Sequence, residues 1–452
     1  MRLNHNAVAF TAANNYSTIN NKVTASMARL SSGYKINKSS DDPTGKAISQ
    51  RMNAQIRGLK RAESNANDGI SLIQTAEGAL QEAHSILARM RELSVQAANS
   101  IYDVTDCDAM QAEIKQLQEE LDKISDTTQF NGRTLLNGEL NRKGYTDSAD
   151  VSIAEIGGDV EAGNYSLSVT SLGSTAKVST APVTGDYTGS SGSITINGLQ
   201  ISISTGDTAE EIQSMLRDHA DRIGIDYDIT TGEFESREEG SSQVIEIKAS
   251  NDELKALLGV PVKGTGTDAT ADFGTGNRVG FSDTATIETD GNRISITDKD
   301  GFTMVLDAKA AEDVSVTVLT AGPMVVQVGA NEGQTLDINI GKTTANSLGV
   351  DNIYIYTHEY ASEAITKLDE AVVKISRIRS SLGAYENRMD YTSDNLEVEN
   401  ENLTSAVSRI LDTDMAEEIT EYTQANVLSQ SAMQMLTKAN AFPESLLQLF
   451  QR

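Results

Sequence analysis

The chain has four histidines, His5, His84, His219 and His358, and no two of them stand at metal-ligand spacing. The stretch HEYAS (358–362) begins as the zinc-protease signature H-E-x-x-H does. Position 362 is serine, so the second ligand is missing and the pair reads as a helix start. GTGNRVG (274–280) is rich in glycine, but its third glycine comes one residue late for G-x-G-x-x-G. No βαβ unit surrounds it, so it reads as a loop. Cys107 lies between Asp106 and Asp108, whose charge raises a thiol pKa and disfavours a nucleophile. Asp41-Asp42 has no third carboxylate nearby and precedes Pro43, the pattern of a helix start. These residues predict no catalytic group, no metal and no cofactor. What remains is to ask what elements the rest of the chain builds.

Among 452 residues there are no tryptophans, 8 phenylalanines and 5 prolines, which suits long helices better than large aromatic cores. The single cysteine excludes an internal disulfide framework and a cysteine metal cluster. Net charge is −28 and unevenly placed. Residues 1–145 carry 17 basic against 16 acidic side chains, 146–350 carry 12 against 32, and 351–452 carry 8 against 17. A strongly acidic middle argues against nucleic acid or an anionic membrane as partner and suits a solvated outer surface. No run of about 18 apolar residues is present for a membrane span. The start, MRLNHNAVAFTAANNYS, lacks the apolar core of a cleavable signal. The expectation is a chain that stays inside, or one that leaves by a route that reads no such signal.

Helical periodicity dominates both ends. Val8, Ala12, Tyr16, Ile19, Val23, Met27 and Leu30 are spaced 4, 4, 3, 4, 4, 3, an eleven-residue period. The stripe is thin, so this helix is marginal without a partner. Ser32-Gly33 closes it and Asp42-Pro43 opens the next. From 43 to 101, Met52, Leu59, Ala66, Ile73, Leu80 and Leu87 recur every seven residues. Met110, Ile114, Leu117, Leu121 and Ile124 repeat the theme, and FNGRTLLNG (130–138) breaks it with two Asn-Gly turns. Cys107 is placed in the loop between the two helices. After residue 357, Leu368, Ile375, Leu382, Met389, Leu396, Leu403 and Ile410 are again seven apart. Such a stripe must face another helix, and matching stripes lie near the N-terminus.

Between about 145 and 350 the period is two. SITINGLQISIS (193–204) reads as a hairpin about Asn197-Gly198, and TIETDGNRISIT (286–297) as one about Asp290-Gly291. Thr208-Ala-Glu-Glu211 reads as a capping box, and 313–319, 324–328 and 336–340 as strands. The fold class expected is α+β: long N- and C-terminal helices form coiled-coil and bundle core domains of an elongated molecule, with a β-rich domain inserted between them.

LSSGYKINKSSDDPTGKAIS (30–49), AESNANDGISLIQTAEGAL (62–80), RMRELSVQAANS (89–100) and QFNGRTLLNG (129–138) resemble the N-terminal half of bacterial flagellin, the filament subunit. QVGANEGQTLDINI (327–340), RILDTDMAEEITEYT (409–423) and SAMQMLTKANAFPESLLQLFQR (431–452) resemble its C-terminal half. The ITINGLQISIS…DTAEEI stretch resembles a small β module of flagellins and hook-associated proteins.

The resemblance implies a self-assembling structural subunit, not an enzyme. Segments 1–40 and 412–452 would pair as an inner coiled coil, 41–144 and 326–411 would form a helical rod with a β-hairpin, and 145–325 would project outward. Leu59, Ile73, Leu80, Leu87, Leu368, Ile375, Leu382, Leu396, Leu403 and Ile410 would be filament-packing positions. The chain would be extracellular, exported unfolded through the flagellar apparatus without a cleaved signal, and assembled at the filament tip beside cap and hook-associated proteins. An export chaperone would cover Leu428, Met435, Leu436 and Leu446. Arg89, Leu93 and Glu113 match contact positions for the flagellin-sensing Toll-like receptor. The ending Phe450-Gln451-Arg452 departs from the leucine-rich pattern of the family. The alternative reading is the hook–filament junction protein, which shares both helical ends.

Overall fold

Gly33 takes the left-handed conformation (φ 77°) and its N–H bonds to the Arg29 carbonyl, ending helix α1 (Ala7–Ser32) as read from the sequence. Asp41 then accepts from the backbone of Asn37 and Lys38, and Asp42 Oδ1 from Thr44 N, so one carboxylate shapes the joint and the other starts α2 (Pro43–Ala97). The computed structural model describes residues 6–99, 101–157, 160–273, 279–299 and 302–450, with side chains through 441. Most of GTGNRVG lies outside the described residues. The remaining helices are α3 (Val104–Thr127), α4 (Ala209–Arg222), α5 (Asp252–Leu258), α6 (Ala345–Leu348), α7 (His358–Leu411) and α8 (Met415–Phe450). The chain forms two compact units whose boundaries fall inside α2 and α7.

The first unit comprises Met1–Asn67, Gln327–Gln334 and Asp390–Arg452. Here α1 and α8 run antiparallel, tied near one end by Asn6 Nδ2 to the Ala439 carbonyl (2.8 Å). At the other end Lys35 N bonds to Leu411 O, Thr413 N to Gly33 O, and Lys35 Nζ to Arg409 O. Leu59 and Ala62 of α2 meet Leu396 of α7 in a small core that Ala330 and Leu403 flank. Gly58 lets the chains approach closely there, since a Cβ would stand a tight 3.0 Å from that of Ala330.

The second unit comprises Asp68–Val326 and Thr335–Met389. Arg91–Asp369 (2.6 Å), Arg379–Glu77 (2.7 Å) and Gln74–Glu386 (2.9 Å) record antiparallel α2 and α7, while Arg89–Glu113 (2.8 Å) ties α3 to α2. Ile73, Leu80 and Leu87 of α2, Ile114 and Leu121 of α3, and Leu368, Ile375 and Leu382 of α7 are buried, so the heptad stripes are this unit's helical core.

The β region is two modules, one nested in the other. The outer is a pair of four-stranded antiparallel sheets, 270–272/163–171/313–318/144–146 and 286–290/293–297/303–308/151–156, around Leu167, Ile294, Ile296, Leu306 and Val316. The nested module, residues 175–265, packs a three-stranded and a four-stranded sheet with α4 and α5 about Phe234, Ile245, Ile247 and Leu216. Its hairpin turns on Asn197 (φ 47°) and Gly198 (φ 84°), the type I′ signature. The second hairpin turns one residue later than expected, on Gly291-Asn292, because Asp290 pairs with Arg293 and only Gly291 takes positive φ. The Thr208–Glu211 capping box starts α4 as read.

Candidate functional site

Paired α1 and α8 bury little of their own surface. Among their described side chains, only Ser26, Glu418 and Ala425 are buried. Arg29 Nη1 stands 3.6 Å from Glu418 Oε2, so a polar pair, not a leucine seam, fixes their register. The apolar residues stay in water: Val8, Phe10 and Met27 of α1, and Met415, Ile419, Val427, Leu428, Met433 and Met435 of α8, are exposed. Ala12, Ile19, Leu428 and Met435 line a groove of about 680 Å³ between the helices. Exposed apolar side chains gathered along a helix pair and its groove make a candidate association surface. Among the described residues no group of three or more His, Cys, Asp or Glu could hold a metal, and no helix is long and apolar enough to cross a membrane.

The family models described as "Bacterial flagellin N-terminal helical region" and "Bacterial flagellin C-terminal helical region" match residues 3–141 and 365–450. A flagellin of Clostridium tyrobutyricum is 34% identical over 97% of this chain and 99% of its own length. The chain belongs to the bacterial flagellin family. A flagellin of Salmonella rubislaw is 32% identical over 99% of both chains. Among solved structures, FliC of Burkholderia pseudomallei aligns with 71% of this flagellin and 99% of its own chain at 17% identity, with a TM-score of 0.25. The near-full-length flagellin relatives favour the filament subunit over the junction protein.

The structure places three groups of expected residues in this flagellin. The filament-packing positions are largely internal. Leu59, Ile73, Leu80, Leu87, Leu368, Ile375, Leu382 and Leu396 are buried within the chain's own units, so their burial needs no neighbour. Leu403 and Ile410 alone of the ten remain half-buried. Leu93 is 2% exposed, because it follows the core residue Met90 by three positions on the same face of α2. Arg89 is exposed, Glu113 is half-buried, and an ion pair joins them (2.8 Å), with Glu92 on the other side of Arg89 (2.5 Å). Cys107 is not in a loop but buried in the first turns of α3, after the Asp103 cap. Burial, then Asp106, Asp108 and Asp103, push its thiol upward, so it stays protonated and inert.

The chaperone-face residues divide. Leu428 and Met435 are exposed, Leu436 is half-buried, and the Leu446 side chain lies outside the described residues. Apolar periodicity missed Ser26 and Glu418, since a polar residue in a helix seam leaves no mark in a hydrophobic pattern. His358 begins α7 and bonds through Nδ1 to the Ala98 carbonyl (2.8 Å), the helix-start role read for HEYAS.

Proposed function

We propose that this flagellin polymerises into the extracellular flagellar filament through the apolar faces that α1 and α8 leave in water. The observation that carries the reading is their composition: a helix pair in which, among the described side chains, the buried ones are Ser26, Glu418 and Ala425 and nine large apolar ones are exposed. Such a pair contributes little stability alone, so its apolar surface is available to drive association with further copies. A head-to-tail contact between identical subunits that does not close into a ring propagates as an open helix. The inner pairing of 1–40 with 412–452, the rod segments 41–144 and 326–411, and the outward placement of 145–325 belong to this proposal. Seeded polymerisation followed by electron microscopy tests it, with filaments expected and amorphous or soluble protein counting against it.

Export as an unfolded chain fits the same surface. A chaperone covering Leu428, Met435 and Leu436 would keep monomers apart until they reach the tip, where cap and hook-associated proteins would meet them. For the innate receptor, the proposal narrows to Arg89 and Glu113. Monomer is expected to bind, and Arg89→Ala to weaken binding about tenfold or more, as loss of a charged interface group does. Equal affinity of the variant would remove Arg89 from the contact.

A further inference from the structure

Residues 350–360, VDNIYIYTHEY, are neither strand nor helix until His358, yet they alternate. Val350, Ile353 and Ile355 are buried (0–2% exposed), and from Asn352 to Tyr356 the buried isoleucines alternate with Asn352, Tyr354 and Tyr356. The buried side is pinned to α3 through its backbone. Gln118 Nε2 donates to Val350 O (2.5 Å) and Asp351 O (3.0 Å). One heptad earlier, Gln111 donates to Ile353 O (2.6 Å) and accepts from Ile355 N (3.1 Å). Two glutamines seven apart lie on one helical face, so they grip one extended segment.

The other side reaches the nested module. Asn352 Nδ2 donates to Glu238 Oε1 (2.5 Å), and Tyr360 Oη accepts from Asn197 Nδ2 (2.6 Å) at the tip of the module's hairpin. The ring of Tyr354 lies under Gly224, where a Cβ would fall 2.7 Å from it. Asp108 of α3, whose charge acts on the Tyr356 hydroxyl, pairs with Arg222 of α4 at 3.2 Å. Tyr356, Tyr360 and Val104 pack against the module's core. Next to Glu238 the module is also tied to the outer sheets: Asp268 accepts from Ser241 and Gly291, and Asn292 donates to Glu239.

We infer that residues 350–360 are a two-faced strap that fixes the nested module, 175–265, against the helices of its unit in one orientation. Modules joined by short links otherwise move relative to one another by default. The strap converts an appendage into part of a rigid body, so every copy carries the module at the same place. The inference goes beyond polymerisation and is tested on monomer.

Spin labels placed by Ser202→Cys on the module and Thr366→Cys on α7, both exposed, in a Cys107→Ala background, report the distance by pulsed electron resonance. One narrow distribution is expected. The combined Tyr354→Ala, Tyr356→Ala and Tyr360→Ala variant is expected to widen it about twofold or more. Hydrogen exchange at 194–203 is expected to stay protected, showing that the module itself remains folded. Arg222→Ala with Asn352→Ala leaves the strap's apolar packing and its Gln111 and Gln118 bonds in place, and is expected to widen the distribution by a smaller amount. A broad distribution in the parent, or an unchanged narrow one in both variants, would overturn the strap.

Discussion

Replacing Leu428 and Met435 together by glutamate is expected to leave the monomer's thermal unfolding unchanged and to stop seeded polymerisation. Both side chains are largely in water, 48% and 69% exposed, so the monomer loses little packing. Each would contribute about 1–2 kcal/mol on being covered by a neighbour, taking partial exposure into account. A carboxylate placed in the same contact adds a desolvation cost of several kcal/mol unless paired. The critical concentration is therefore expected to rise at least about 100-fold, since each 1.4 kcal/mol is a factor of ten. Sedimentation of filaments against monomer concentration measures it. The same substitutions are expected to release an export chaperone, read by co-purification. Polymerisation at the parent's critical concentration would place the assembly surface elsewhere.

Leu80→Ala is expected to have the opposite signature. Leu80 is 0% exposed in the α2 stripe of the second unit. Truncation leaves a cavity among close-packed neighbours and costs about 2–5 kcal/mol. Denaturant unfolding should show the loss as an earlier midpoint with unchanged slope. Val373→Ala on α7, at 57% exposure, serves as the control and should stay within about 0.5 kcal/mol. An equal, small effect of both would mean that the heptad stripe is not the helical core. The contrast separates two sets of apolar residues: those that hold a subunit together, and those that await other subunits.

Features decided locally were legible in the sequence. The Gly33 cap, the Asp42-Pro43 start, the Asn197-Gly198 turn and the Thr208–Glu211 box each depend on a few adjacent residues, and each stands where it was read. The heptads of α2 and α7 were legible because they repeat over many turns. Periodicity reports that a stripe is covered, not by what, and the stripe of α2 and α7 proved to be covered from within. Glu418 in the α1–α8 seam was hidden because a charged residue is buried only when a partner such as Arg29 is brought to it from far along the chain. The strap was hidden for a similar reason. Its alternation spans only Asn352 to Tyr356, and its meaning comes from Gln111 and Gln118, more than two hundred residues earlier. The nesting of one β module in another depends on which strands pair across long separations, which alternation alone does not specify.

The central claim is that the terminal helices drive assembly. Purified full-length monomer and a chain lacking 1–40 and 412–452 would be given the same short filament seeds and examined by electron microscopy. Long filaments from the full chain alone, with the shortened chain still folded by circular dichroism, are the predicted result. Filaments of equal length from the shortened chain would contradict it.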